Sequence, residues 1–332
     1  SSYNANVVTS YLDVKAGKSH IVALRKDGTV WVAGQNNYGQ LGTGNTRKQM
    51  KLVQVPNLTD IVKIAAGENF TVAMDSYGIM YVWGQGYTNK PQVLDTSIRD
   101  ASYIAAGGQN QIAIVLPSGQ VYGIGSTLHG ILDNVDNAVK VEVGNRYFLI
   151  MRSDGSVYKY SNSTLTKVDA DDAVDISSTN NVNMYLNKNE RVYVWGGNDR
   201  GQLGMNNTSG SVIPQAPQEY KDNVFAIAAG SKNSYIIDTD GFVYAAGDNQ
   251  YGQLGNGTKE DTTSETYGLR KVHTLVGDRT FDVEPESAIM ETNDVEELEV
   301  TGNTYNVFAD QGTKNIDDYI FASNDASIVD LL

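Results

Sequence analysis

The sequence contains few of the side chains that usually carry acid–base, nucleophilic or metal chemistry. Cysteine is absent, and the three histidines are His20, His129 and His273. The position of His20 holds Phe70 or Gln111 in other repeat units, and this variability favours packing over catalysis. A nucleophile elbow, a phosphate-binding loop, a dinucleotide fingerprint and zinc-ligand spacing are all missing from the sequence. We therefore expect a protein that is not an enzyme, with no catalytic residue, no cofactor and no metal site.

One acidic segment could suggest a calcium site. Residues 169–175 read Asp-Ala-Asp-Asp-Ala-Val-Asp, but they lack the central glycine and the terminal glutamate of an EF-hand loop. A solvated acidic turn is the favoured interpretation. The adjacent carboxylates Glu296 and Glu297 are likewise interpreted as surface charge.

The glycines follow a regular spacing that indicates a repeat protein. Gly17, Gly28, Gly34 and Gly39 are separated by 11, 6 and 5 residues. A fixed spacing of glycines means a fixed set of tight backbone positions, hence one supersecondary unit built several times. Six units are recognised, and the full spacing recurs in two of them, at Gly108, Gly119, Gly125 and Gly130 and at Gly230, Gly241, Gly247 and Gly252.

Each unit predicts four short antiparallel strands. In the first unit an apolar run at 21–24 leads to an Asp27-Gly28 hairpin signal, a returning run at 30–33 and a last strand near 52–55. This pattern is typical of a propeller blade. The second place of the third strand is aromatic in every unit, and we interpret this column as packing between blades rather than as a ligand ladder: Trp31, Tyr81, Tyr122, Tyr158, Tyr193 and Tyr244.

The loop that follows the third strand carries a more specific motif. Residues 34–42 read Gly-Gln-Asn-Asn-Tyr-Gly-Gln-Leu-Gly, and related segments occur at 196–204 and 247–255. With Ala16-Gly17 and Asp27-Gly28, these segments resemble the repeat of the regulator of chromosome condensation family over roughly residues 13–272. The resemblance implies a β-propeller, usually seven-bladed in that family.

The number of blades is open at this point. Residues 275–278 lie at a plausible blade interval but lack the hairpin signals that should follow. Either a degenerate seventh blade starts there, or residues 6–12 pair with residues 269–272 to close a ring of six. The predicted fold class is all-β, a propeller of six to seven four-stranded blades with seven favoured, plus a small C-terminal β element.

The chain divides into a propeller at 1–276 and an acidic segment at 277–332 in which the glycine spacing stops. Residues 281–285 and 320–330 resemble the two ends of a bacterial Ig-like module. The C-terminal segment is therefore interpreted as a degenerate blade that caps the propeller or as a partial Ig-like module.

Composition bounds the partners and the compartment. A net charge of −14 and a pI near 4.6 disfavour nucleic acid and anionic membrane surfaces. No apolar run approaches the roughly 20 residues of a membrane span, so no membrane insertion is expected. Abundant Asn, Thr, Ser and Gly without Cys indicates an extracellular or cell-surface bacterial protein, monomeric, with a signal peptide presumed removed.

The predicted binding surface is one end of the propeller. The turn between strands one and two and the loop between strands three and four share an end of a four-stranded meander, opposite to the Asp-Gly hairpins. The loop residues are of the polar and amphipathic types that suit recognition of a protein or a glycan. The candidate binding residues are Asn36, Asn37, Tyr38, Tyr87, His129, Arg146, Asn198, Asp199, Arg200, Asn249, Gln250 and Tyr251.

Three other functions are alternatives to a non-enzymatic binding module. The chain resembles some secreted bacterial propellers that inhibit β-lactamases, which makes a secreted enzyme inhibitor the main alternative. Nucleotide exchange on a small GTPase near chromatin is disfavoured by the acidic charge and by the lack of a basic tail. An enzyme with a distributed active site stays open because propellers also host hydrolases.

Overall fold

Six antiparallel four-stranded sheets follow one another along the chain. The computed structural model describes residues 11–94, 97–108, 110–125, 128–217, 222–255, 259 and 270–272, and the strands at 283–284, 297–300 and 303–306. In every sheet the strands are ordered as in the sequence, from the first strand to the fourth. The first strands of consecutive sheets contact each other, as expected for blades arranged around a common axis.

The strands have the following bounds. Blades 1 and 2 comprise β1 (Tyr11–Ala16), β2 (His20–Arg25), β3 (Val30–Gly34) and β4 (Gln49–Gln54), then β5 (Ile61–Ala66), β6 (Phe70–Asp75), β7 (Met80–Gly84) and β8 (Gln92–Val93). Blades 3 and 4 comprise β9 (Tyr103–Gly107), β10 (Gln111–Val115), β11 (Val121–Ile124) and β12 (His129–Ile131), then β13 (Ala138–Val143), β14 (Phe148–Arg152), β15 (Val157–Ser161) and β16 (Thr164–Lys167). Blades 5 and 6 comprise β17 (Ala173–Thr179), β18 (Val182–Asn187), β19 (Val192–Gly196) and β20 (Ser211–Gln215), then β21 (Val224–Ala229), β22 (Asn233–Asp238), β23 (Val243–Gly247) and β24 (Arg270–Lys271).

The hairpin between the second and third strands explains the glycine spacing. Gly28, Gly78, Gly119 and Gly155 have φ values of 78–80° there, a backbone conformation that side chains with a Cβ rarely adopt. In blade 5, whose hairpin glycine is missing, Glu190 takes the same place with φ of 59°. Its N–H donates to the carbonyl of Asn187 at 3.0 Å, so the turn keeps its shape without glycine.

This strained glutamate offers a test of the turn geometry. We expect Glu190→Gly to raise the free energy of unfolding by about 0.5–1 kcal/mol, because glycine adopts the left-handed conformation without a steric penalty. Glu190→Ala, which keeps a Cβ, should not stabilise the fold. Urea denaturation of the two variants would measure the difference. If Glu190→Gly lowers the free energy of unfolding, the glutamate side chain contributes more stability than its left-handed backbone conformation costs.

The core lies between the blades. Five buried apolar clusters each join two consecutive blades, and the one between blades 1 and 2 includes Leu24, Val32, Ile64 and Trp83. A sixth cluster consists of residues of blade 6 and the segments that follow its strands. Tyr81, Tyr122, Tyr193 and Tyr244 of the aromatic column pack against the inter-blade clusters, which confirms the packing interpretation for these four.

The prediction that favoured seven blades is wrong for the described residues, which form six four-stranded blades. The alternative closure by pairing of 6–12 with 269–272 is also not found where the structure describes these segments. Tyr11 pairs with Arg25, and Lys271 pairs with Tyr244, so each end strand completes its own blade. Blade 6 needs no strand from the N-terminal segment, because β24 supplies its fourth strand. The described blades therefore number six.

The C-terminal segment contributes a separate small sheet. Three strands, β25 (Val283–Glu284), β26 (Glu297–Val300) and β27 (Asn303–Asn306), pair antiparallel in sequence order. This sheet is a β element in the segment at 277–332. The interpretation of that segment as a partial Ig-like module or a degenerate blade depends mostly on residues outside the described ranges and stays a prediction.

Candidate binding face

The two ends of the propeller are built differently. We call the end with the first turns and the third-to-fourth loops the loop face, and the opposite end the hairpin face. On the loop face the first turns of neighbouring blades are joined by hydrogen bonds. Lys18 N–H donates to the Glu68 carbonyl at 2.9 Å, and Asn145 N–H donates to the Asn180 carbonyl at 2.7 Å. These bonds connect the loop face of blade 1 with that of blade 2, and the loop face of blade 4 with that of blade 5.

A buried asparagine holds the third-to-fourth loop of blade 1. Asn36 Oδ1 accepts a hydrogen bond from Leu41 N–H at 2.9 Å. Its Nδ2 donates to the carbonyls of Asn45 and Arg47 at 2.9 and 3.1 Å. Gln40 completes the frame, because its Oε1 accepts from Tyr38 N–H at 2.9 Å. Two side chains of the motif thus close the loop on itself.

Blades 5 and 6 repeat this frame. Asn198 Oδ1 accepts from Leu203 N–H at 2.9 Å, and Asn249 Oδ1 accepts from Leu254 N–H at 3.0 Å. Gln202 and Gln253 take the role of Gln40. The carbonyls of the glutamines also reach the neighbouring strands. Gln40 O accepts from Trp83 Nε1 of blade 2 at 2.9 Å, and Gln202 O accepts from Ser234 Oγ of blade 6 at 2.6 Å.

The binding role predicted for three of these residues is therefore corrected. Asn36, Asn198 and Asn249 have at most 2% of their surface exposed, so a partner cannot reach them. Their amides are used within the loop, because a buried amide without partners would cost free energy. They are scaffold residues of the loop face.

The loop tips between these scaffold residues are exposed. Tyr38 is 50% exposed and Tyr251 is 53% exposed, and Asn37 and Gln250 beside them are exposed as well. In blade 5 the same place holds Asp199, exposed, and Arg200, half-buried. The hydrogen bond from Gln202 lowers the pKa of the Asp199 carboxyl. One frame thus presents a different pair of side chains in each of the three blades.

The remaining candidates lie in different surroundings. Tyr87 is half-buried with its ring 6.1 Å from that of Phe70, and burial raises the pKa of its hydroxyl, so it belongs mainly to the core. His129 is exposed on the outer strand of blade 3, with its ring 5.7 Å from that of Tyr122. Arg146 is exposed on the first turn of blade 4, where its N–H donates to Gln111 Oε1 at 3.2 Å.

The first turns of blades 4 to 6 are neighbours on the loop face. The first turns of these blades are joined in series, since Asn180 Nδ2 also donates to Ser231 Oγ at 3.0 Å. Arg146 stands on the first turn of blade 4 and the exposed Lys232 on that of blade 6. The charge of Lys232 contributes to the lowered pKa of Asp199, which places the two side chains near each other.

Sequence reasoning missed a charge difference between the two faces. Among the described residues, the exposed charges of the loop face are mostly cationic: Lys18, Arg47, Lys48, Lys90, Arg146 and Lys232, with Asp199 as an exposed acid. The hairpin face is mostly acidic, with exposed carboxylates at Asp27, Asp60, Asp100, Asp133, Asp154, Asp169, Asp171, Glu190 and Asp240. The net charge of the chain does not show this separation. Summing the charges of the loop segments and of the hairpin segments separately along the sequence could have shown it.

The first strands also carry a polar cluster. Lys140 Nζ lies 2.6 Å from Asp175 Oδ1 and 3.4 Å from Glu142 Oε1, and Tyr103 OH donates to Glu142 Oε1 at 3.2 Å. Burial raises the pKa of the Glu142 carboxyl against the attraction of Lys140. Burial would lower the pKa of Lys140, but Glu142 and Asp175 outweigh it and raise that pKa. One ammonium group from blade 4 thus lies between two carboxylates from blades 4 and 5, with a tyrosine hydroxyl from blade 3 beside them, which fits a structural role.

The described residues add no metal site to this picture. Across the described ranges, no group of three or more His, Cys, Asp or Glu is arranged to hold a metal ion. The same part of the chain contains no helix long and apolar enough to cross a membrane. His20 is fully buried, with Nε2 3.1 Å from Thr71 Oγ1 of the next blade. Residue His273 lies outside the described residues.

Comparison with known families supports the repeat assignment. Two profiles of the regulator of chromosome condensation (RCC1) repeat match the chain, one at residues 27–74 and 189–237 and the other at residues 12–40 and 226–253. These matches fall in blades 1, 2, 5 and 6. The matched segments, 12–74 and 189–253, are thus similar to RCC1 repeats, and the six sheets form the blades of a β-propeller.

The chain is similar to parts of larger proteins. It is 28% identical over 252 residues to the E3 ubiquitin-protein ligase HERC2 of Mus musculus, which covers 74% of this chain and 5% of that protein. It is 26% identical over 254 residues to the ultraviolet-B receptor UVR8 of Arabidopsis thaliana, which covers 75% of this chain and 44% of that protein. The chain thus spans less than half the length of both relatives.

A solved structure shows the same fold. The structure of Prp20p from Saccharomyces cerevisiae, described with its binding to Gsp1p and histones, has a TM-score of 0.67. The match has 17% sequence identity and covers 82% of this chain and 79% of that chain.

Proposed function

We propose that this chain is a non-enzymatic interaction module that binds a protein partner through its loop face. The observation that carries the proposal is the repeated loop frame, which holds its backbone with buried Asn and Gln side chains and presents different exposed residues in each blade. In such a frame the buried Asn and Gln side chains stabilise the loop, and the exposed tip residues are available to contact a partner. The tips can change without a cost to the core, which is the property of a recognition surface.

The exposed side chains of the loop face suit a protein partner. Tyr38 and Tyr251 offer large amphipathic contact surfaces with little side-chain entropy to lose. The exposed cations on the described part of the loop face favour a partner with acidic side chains, because complementary charge steers association and selects partners. The fold is compatible with this use, since Prp20p, which shares it, binds the proteins Gsp1p and histones.

A peptide-display selection against the full chain tests the proposal. We expect selected peptides rich in Asp and Glu, whose Kd rises by about tenfold or more in the double variant Tyr38→Ala, Tyr251→Ala. Both side chains are half-exposed, so the melting temperature of this variant should stay within about 2 °C of the parent. Isothermal titration calorimetry and thermal denaturation would give the two readouts.

Tyr77→Ala provides the matched control, because Tyr77 is a more exposed tyrosine on the hairpin face. Selected peptides that lose binding to Tyr77→Ala but keep it to the double variant would reject the loop face. A glycan array probed in parallel addresses the other ligand class predicted from the sequence. Specific capture of a glycan, with no peptide selected, would contradict the proposal of a protein partner.

The extracellular or cell-surface location predicted from composition stays a prediction. We propose it as the setting in which the interaction takes place. Fractionation of the source cells, with antibody detection of the chain, would test it. Recovery of the chain in the cytosolic fraction alone would contradict it.

A further inference from the structure

The first strands carry a repeated irregularity at their start on the hairpin face. In blades 4, 5 and 6 the pairing of the first strand with the second skips one residue, so that a β-bulge leaves Val139, Val174 and Phe225 unpaired. A bulge turns its extra side chain away from the regular pleat. All three side chains are exposed, at 44%, 52% and 67%. We call these three residues the bulge arc.

The bulge arc lies on three consecutive blades. The first strands β13, β17 and β21 contact each other in series, so the three equivalent positions are neighbours on one rim. Exposed apolar side chains are ordinary when scattered singly, but a group at equivalent positions of adjacent blades is a patch. The same skipped pair leaves Leu12 and Val62 exposed in blades 1 and 2. Blade 3 separates these two residues from the arc, because Ser102 is exposed at its corresponding position.

Backbone hydrogen bonds between blades hold this rim. Ala138 N–H donates to Gly119 O at 2.9 Å, Ala173 N–H to Gly155 O at 3.0 Å, and Val224 N–H to Glu190 O at 2.9 Å. Each bond ties the residue before a bulge to the hairpin of the preceding blade. The apolar side chains are therefore presented from a fixed backbone, and binding would require little ordering of the chain.

The surroundings of the bulge arc are acidic. The three cations closest in the sequence to its hairpins are held in ion pairs: Arg152 with Asp136 at 2.8 Å, Lys188 with Asp172 at 2.8 Å, and Arg191 with Asp222 at 2.6 Å. The other exposed carboxylates on the same hairpins and linkers are Asp133, Asp154, Asp169, Asp171, Glu190 and Asp240, and Lys167 is exposed at the end of β16. The patch thus combines apolar side chains with an excess of exposed carboxylates over cations.

We infer that the bulge arc is a second protein-docking surface, which takes a partner segment with bulky apolar side chains flanked by Lys or Arg. The apolar side chains of the segment would cover Val139, Val174 and Phe225, and its cations would meet the exposed carboxylates. An anionic membrane or a nucleic acid would be repelled by the same carboxylates. This surface lies at the opposite end of the propeller from the loop face, so its function does not depend on the one proposed above.

Fluorescence anisotropy with three labelled peptides tests the inference on the full chain. One peptide alternates lysine and phenylalanine, the second lysine and serine, and the third glutamate and phenylalanine. We expect the first to bind at least about tenfold more tightly than the other two, because it alone offers both apolar contact and complementary charge. Combining Val139→Ser, Val174→Ser and Phe225→Ser should raise its Kd by about tenfold or more.

Matched variants separate the bulge arc from other causes. Met50→Ser, Val93→Ser and Val212→Ser remove exposed apolar side chains from outer strands and should leave Kd unchanged. Asp171→Asn with Asp240→Asn should weaken binding and reduce its salt dependence. If the triple serine variant is poorly folded, Phe225→Ser alone, at the most exposed of the three positions, takes its place.

Three results would overturn the inference. The lysine–serine peptide could bind as tightly as the lysine–phenylalanine peptide, which would leave only general attraction to an acidic protein. The triple variant could bind like the parent. Sedimentation could show dimers of the chain that the triple variant loses, and the surface would then belong to a second copy of this protein.

Discussion

Acidification from pH 7 to pH 4 should remove about 3 kcal/mol of folding free energy through His20 alone. Burial lowers the pKa of this imidazole from 6.5 to about 4, and a hydrogen bond with the backbone of Phe70 opposes the shift only in part. Each pKa unit corresponds to about 1.4 kcal/mol of difference between the two protonation states. Among the described histidines, His20 is the one enclosed between two blades.

The sign follows from which state binds the proton. Below pH 6.5 the unfolded chain takes up a proton at His20, whereas the folded chain takes it up only near pH 4. The stability contributed by the neutral imidazole is therefore complete above pH 6.5 and is lost progressively between pH 6.5 and pH 4. Urea denaturation at half-unit pH intervals would measure this loss as a fall in the free energy of unfolding.

His20→Gln isolates the contribution of His20 from that of the many carboxylates. Glutamine stands at the corresponding position of blade 3, as Gln111, and it does not titrate. The variant should show a flatter pH dependence than the parent over the same interval. His129→Gln, at an exposed site on an outer strand, controls for the loss of a histidine elsewhere. Parallel pH profiles for the parent and His20→Gln would refute the burial argument.

Asn36→Ala should destabilise the propeller by about 2–4 kcal/mol, although it lies in a loop. The substitution leaves the buried N–H of Leu41 and the carbonyls of Asn45 and Arg47 without their partner. An unsatisfied buried group costs about 1–3 kcal/mol, and water can reach part of this loop. The loop also supplies Gln40 O to Trp83 of blade 2, so its rearrangement would weaken the contact between the blades.

Asn37→Ala is the control for this prediction, since Asn37 is the adjacent exposed residue of the same loop. It should stay within about 0.5 kcal/mol of the parent in urea denaturation. Asn36→Asp gives a second measurement. It keeps the acceptor for Leu41 but turns a carboxylate oxygen toward two carbonyls, and should also be strongly destabilising. Equal stabilities for Asn36→Ala and Asn37→Ala would contradict the scaffold role.

The buried asparagines show where sequence reasoning about the site failed. Asn in a surface loop suits both recognition and turn geometry, and the residue type alone does not separate the two. Asn36 is distinguished by the partners of its amide, which come from residues up to 11 positions away in the same loop. Tyr38 and Tyr251 were placed correctly on the surface because a turn has no need of tyrosine. Tyr87 was predicted to be exposed but is half-buried. Its contact with Phe70 depends on how the shorter loop of blade 2 folds back, which the sequence does not show.

The sequence by itself determined the repeating unit. Glycine at Gly28 and its equivalents is favoured because the backbone has positive φ there, and local turns of this kind depend on few neighbours. The four-stranded blade and its strand order follow from those turns and the apolar runs between them. The Asp and Gly residues at the hairpins are local signals. Blade 5 was recognised from its other residues although Glu190 replaces the hairpin glycine.

Only the tertiary structure decided the number of described blades, the charge of each face and the exposure of the bulge arc. These properties depend on contacts between segments far apart in the chain. In the sequence, Val139 and Val174 look like ordinary strand residues. Their exposure follows from a skipped pair in the strand register and from the hydrogen bond by which the residue before each of them contacts the preceding blade. A local pattern specifies which residues can form a strand, whereas burial and surface charge are set by what packs on it.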